Sequence, residues 1–147
     1  MTTQTTPGKP SALIKPTLDT RYHIDYSWWD RSPEDLRVYL LSHLLPEQRQ
    51  HLSQTTEQRV VDYIDPETAE VTQLDELGLA IQIAAKDPNF INPHTSLVDS
   101  IFRVFLANGN EPLSPRELAD RTGRPASTIL RTLSGAQIYK GIRPSTI

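Results

Sequence analysis

The sequence predicts an α+β protein in two parts, a small N-terminal α/β module followed by a compact three-helix unit. Three observations carry that expectation. The segments YHIDYSWW (22–29), RVVDYID (59–65) and EVTQL (70–74) are rich in aromatic and β-branched residues and partly alternate, as strands do. Helical periodicity with clear capping signals dominates from Ser96 onward. The charge also changes sign along the chain. Residues 1–95 hold eight Lys/Arg and fourteen Asp/Glu, a balance of −6, whereas residues 96–147 hold seven and four, a balance of +3.

A chain of 147 residues accommodates one domain or two very small ones. The expected divisions are a flexible arm over 1–20, an assembly or effector module over 21–92, and the helical unit over 93–147. The arm has four Thr in its first six positions and three prolines by position 16, with little to bury. Cysteine is absent, which excludes disulfides, thiol nucleophiles and thiolate metal sites. No apolar run approaches the roughly 20 residues that span a bilayer, and the arm has no compact hydrophobic region. A cytoplasmic protein without membrane contact is expected.

Taken in order, Tyr22–Trp29 reads as a strand whose adjacent tryptophans would face opposite ways. Tyr26, Trp28 and Trp29 are therefore expected to divide between a local core and an interface. Ser32-Pro33-Glu34-Asp35 announces a helix over 33–45, with Leu36, Tyr39, Leu40, His43 and Leu44 on one stripe and Pro46 as its limit. A short helix and a loop are expected over 47–57. The runs 59–65 and 70–74 form a hairpin around the turn-rich Pro66–Ala69. Asp75 caps a largely buried helix through ELGLAIQIAAK, giving a β-α-β-β-α module over 21–87.

A further helix over 96–108 buries Leu97, Ile101, Val104 and Phe105 and stops at Gly109. Ser114 then caps the next helix, with Pro115 in its first turn and Glu117 completing a capping box. Gly123 supplies a turn, and Pro125 and Ala126 start a last helix that buries Ile129, Leu130 and Leu133. Ala136–Tyr139 could begin a strand, with a tight turn at Lys140 and Gly141. From Arg121 to Ile147 there are five basic residues and no acid.

The small Ala119, the glycine four residues later and the helices on either side resemble the helix-turn-helix superfamily. The likeness covers about residues 96–143 and extends to a reduced winged helix. It implies that 125–134 is a reader helix entering the major groove of double-stranded DNA. The contact candidates are then Arg116, Arg121, Arg124, Ser127, Thr128, Arg131, Lys140 and Arg143. Arg124 departs from the apolar residue often found just after the turn glycine. Arg131 suits guanine edges, and Lys140 and Arg143 suit flanking phosphates. A non-catalytic transcriptional regulator follows, dimeric or bound to a protein partner through its N-terminal module.

The alternative is an adaptor whose helix-turn-helix contacts protein. His23, His43, His51 and His94 share no ligand spacing, so no metal is expected. Asp25, Asp30, Asp35, Asp62 and Asp65 lack a third partner for acid–base chemistry, Ser114 and Ser127 lack a triad, and there is no phosphate-cradling Gly-rich loop. Neither a catalytic residue nor a cofactor is expected.

Overall fold

A computed structural model describes residues 15–54, 60–64, 68, 69 and 71–146. Residues 1–14 of the expected arm lie outside the described residues, as does much of the turn between the two hairpin strands. The architecture is α+β, with helices outweighing two separate two-stranded antiparallel sheets among the described residues.

The aromatic segment departs from expectation. Strand β1 covers only Tyr22–Ile24, and helix α1 takes over at Tyr26–Arg31. Asp25 makes the switch: its carboxylate accepts from the Ser27 N–H at 3.0 Å and the Ser27 hydroxyl at 2.6 Å, satisfying the first turn of a helix. The helix beyond it is also shorter than the expected 33–45. Ser32 closes α1, its N–H donating to the Trp29 carbonyl at 3.3 Å. Asp35 then caps α2, Leu36–Leu41, by accepting from the Val38 N–H. Pro46, expected to limit that helix, instead opens α3, Pro46–Gln54, where its missing N–H costs nothing.

The hairpin forms as expected. Strand β2, Val60–Ile64, pairs antiparallel with β3, Val71–Asp75, from Val60 opposite Asp75 to Ile64 opposite Val71. Asp75 ends β3 and caps α4, Glu76–Ala85, accepting from the Gly78 N–H at 2.7 Å. The β-α-β-β-α grouping fails in one respect, because β1 is not in this sheet. It pairs instead with β4, Ile142–Pro144, and bridges to Leu113 on its other side. The reason is long-range packing. The two buried residues of β1, Tyr22 and Ile24, belong to the same apolar cluster as Phe102, Phe105 and Ile142.

Helix α5, Leu97–Ala107, starts at the Ser96 cap and ends where Gly109 takes a left-handed φ of +73°. It is buried along Ile101, Phe102, Val104, Phe105 and Leu106, while Leu97 is only half-buried. Helices α6, Pro115–Thr122, and α7, Ala126–Leu133, follow, each packed on its predecessor. No strand forms over Ala136–Tyr139; the chain turns through left-handed Lys140 and Gly141 into β4. Packing continues across the expected boundary at 92/93. Leu77, Ile81 and Phe90 lie in the same cluster as Ile101, Leu118 and Ile129. Asn110 adds a polar clasp, its side-chain amide bonding both the N–H and the carbonyl of Ile24 at 2.8 and 2.9 Å.

Candidate functional site

The α6–turn–α7 segment is built as its residues dictate. The Ser114 hydroxyl accepts from the Glu117 N–H, and the Glu117 carboxylate accepts from the Ser114 N–H at 3.0 Å. That backbone bond holds the Glu117 carboxyl below its ordinary range. Gly123, at φ +73°, sends its N–H to the Ala119 carbonyl at 2.8 Å and so reverses the chain. Pro125 sits just outside α7 rather than in its first turn. Leu118, Ile129 and Leu133 face inward; Leu130, expected with them, is half-buried.

The eight nominated contact residues do not form one free cationic face. Arg116 pairs with Asp19 at 3.0 Å. Arg124 folds away from α7, its guanidinium donating to the carbonyls of Thr95 and, at 3.3 Å, Pro93. Lys140 pairs with Glu34 and lies 4.8 Å above the Tyr39 ring. Arg143 pairs with Asp25 at 3.1 Å. The Ser27 hydroxyl, then its N–H, and the charge of Arg143 keep the Asp25 carboxyl below the usual carboxylate range.

Three of these four partners are therefore carboxylates from the acidic N-terminal part. The Arg116–Asp19 pair is weak, with side chains 60% and 75% exposed. Of the other four nominated residues, Arg121, Ser127 and Arg131 are exposed and Thr128 is half-buried. The outward side of α7 is also shared with residues 15–18. Lys15, Pro16 and Leu18 form one wall of a groove of about 320 Å³, and Ser127, Leu130 and Arg131 form the other. The Leu18 carbonyl accepts from the Arg116 N–H at 3.3 Å, so this part of the expected flexible arm is tied to α6.

The aromatic trio is likewise redistributed. Trp29 is buried, stacked on Tyr39 at 5.4 Å and edge-on to Trp28 at 5.1 Å, which removes it from any interface. Trp28 is half-buried against the core, and Tyr26 is exposed. Both sit on a helix, so the opposite-face argument for a strand no longer applies.

A polar cluster escaped notice in the sequence. Tyr39 donates to Asp99 at 2.5 Å, and burial, then that bond, drives the Tyr39 hydroxyl well above its ordinary pKa. Arg103 donates from Nε to His43 Nδ1 at 3.0 Å and from Nη1 to the Phe90 carbonyl at 2.8 Å. The available signal was Arg103 itself, a cation amid the apolar run SIFRVFLA and four residues after Asp99.

Among the described residues, no group of three or more His, Asp or Glu side chains is placed to hold a metal ion. None of the described helices is long and apolar enough to cross a membrane. Compared with known proteins, the chain matches no protein-family model, no curated protein and no solved structure.

Proposed function

We propose that this chain is a non-catalytic cytoplasmic adaptor in a multiprotein assembly, with residues 93–147 as a helix-turn-helix-like unit that contacts protein. The supporting observation is the occupation of its cations within the chain. Arg116, Lys140 and Arg143 face Asp19, Glu34 and Asp25, and Arg124 is spent on backbone carbonyls. A phosphate surface built from these residues would first have to break those contacts. The hairpin is consistent with assembly as well. Its end pair, Ile64 and Val71, is 62% exposed at both positions, and a two-stranded ribbon gains stability when an open edge is paired.

Duplex-DNA reading through α7 remains the second reading, favoured by the exposed Arg121, Ser127 and Arg131. Salt dependence separates the two. Each neutralised phosphate contributes about −0.9 to the slope of log affinity against log salt. Six working cations give a slope of roughly −5, and two give roughly −2. For the adaptor, fluorescence anisotropy on a random duplex should show no binding or the shallow slope. A photocrosslinker at position 127 should then yield protein adducts in cells. A slope of about −5 on duplex DNA, with nucleic-acid adducts at position 127, would overturn the adaptor reading.

A further inference from the structure

A cleft of about 440 Å³ opens between the α2–α3 corner, α4 and the loop leading into α5. Its volume falls in the range of small-molecule sites. Leu44, Leu45, Ile83, Ala84 and Phe90 supply an apolar wall. Leu45 and Ile83, 64% and 54% exposed, leave open aliphatic surface beside the cavity. His43 and Arg103 supply the polar end.

Arg103 is the informative group. It is half-buried and held by neutral acceptors: His43 Nδ1, the Phe90 carbonyl and, at 3.5 Å, the Thr95 hydroxyl. It also lies 5.1 Å from the centroid of the Phe90 ring. Among the described residues no carboxylate forms an ion pair with it, and its Nη2 makes no hydrogen bond. A half-buried cation with no carboxylate in direct contact and one nitrogen free favours an anion in the cleft. His43 adds an independent sign of incompleteness. It is 6% exposed, and its Nε2 is buried with no partner. Because Nδ1 accepts from Arg103, the imidazole proton resides on Nε2, a buried donor without a partner.

We propose that this cleft binds a small amphiphilic monocarboxylate, its carboxylate on Arg103 and its apolar body against Leu44, Leu45, Ile83 and Phe90. Asp87 also lines the cleft, with one carboxylate oxygen accepting from the Asn89 N–H at 2.8 Å. Its negative charge disfavours dianions such as phosphate monoesters and selects a single carboxylate with an uncharged tail.

Octanoate below its micellar concentration is the probe, octan-1-ol the uncharged comparison, and the full chain the target. Calorimetric titration gives affinities, and nitrogen-15 NMR follows the Arg103 Nε–H and the Ile83 and Phe90 amides. Octanoate should bind at least about tenfold more tightly than octanol, since a hydrogen bond to a charged group is worth that factor. Arg103→Gln should abolish the preference, and Arg103→Lys should keep part of it. Should Arg103→Gln fail to fold, Ile83→Glu at an exposed position carries the test, weakening octanoate about tenfold while affecting octanol less. Equal affinity for the two probes, a preference indifferent to both substitutions, or no shift at cleft resonances under saturating octanoate each overturns the proposal.

Discussion

Acidification should weaken this fold through His43. The imidazole stacks on Phe102 at 5.6 Å and meets the Tyr39 ring edge-on at 4.6 Å. Burial, then the charge of Arg103 and to a smaller degree Lys140, press its pKa down from 6.5 to about 4, with Asp99 pulling the other way. Protonation would set two donors against each other across the 3.0 Å contact with Arg103. In the unfolded chain the same group titrates near its ordinary value. Between about pH 6.5 and pH 4 the unfolded state therefore holds the extra proton, and stability falls as pH falls through that window. The limiting slope is about 1.4 kcal/mol per pH unit, and the total at most about 3 kcal/mol. Urea unfolding at intervals from about pH 7.5 to pH 4.5 measures it in the wild type and in His43→Gln, whose side-chain oxygen can still accept from Arg103 but gains no proton. The wild type should lose stability more steeply than the variant. Parallel curves for the two proteins would refute the assignment.

Two glycines of similar left-handed φ, +78° at Gly141 and +73° at Gly123, make a paired test. A Cβ at Gly141 would lie 2.9 Å from the Asp25 carbonyl oxygen and 3.1 Å from Trp29 Nε1, so Gly141→Ala should cost about 2–4 kcal/mol. Gly123→Ala, with nothing within 4 Å, should cost only about 1 kcal/mol by the same chemical denaturation. Asn110→Ala strips both polar groups of Ile24 of their clasp and should destabilise by about 2–4 kcal/mol, with amide exchange rising first at β1 and β4. Replacing the acids that hold the cations, in the combined Asp19→Asn, Asp25→Asn, Glu34→Gln variant, should raise duplex-DNA affinity and steepen its salt slope by up to about 3 units. An unchanged slope in that folded variant would mean that the ion pairs do not govern access to phosphate.

What the sequence made legible was punctuation. Asp75 and Ser114 cap the helices they announce, and Gly123 and Gly141 turn the chain where a left-handed residue was needed. The hairpin followed from β-branched runs around a turn. Competing caps were harder to arbitrate. Asp25 and Asp35 overruled an aromatic strand and the Ser32 signal, because a well-placed carboxylate on a helix N-terminus outweighs weak β-propensity. The partner of β1 could not be read at all. Nothing local in Tyr22-His23-Ile24 points to Ile142-Arg143-Pro144. The same distance hid the fate of the cations. Local composition shows five basic residues from 121 onward, but the pairing of two of them, Lys140 and Arg143, with Glu34 and Asp25 is a property of three-dimensional packing.

The placement of β1 also bears on how the polypeptide reaches its native state. Arg143 and Asp25 are 118 positions apart in the chain, and Asn110 and Ile24 are 86 apart. Joining such remote segments costs loop entropy before any contact rewards it. Assembly should accordingly wait on a late, rate-limiting docking of the early strand, with the helices forming well beforehand. A fragment beginning at position 93 would lack the ribbon that seals one side of its own core. It should be aggregation-prone, and a synthetic peptide spanning 15–31 supplied in trans should restore its solubility.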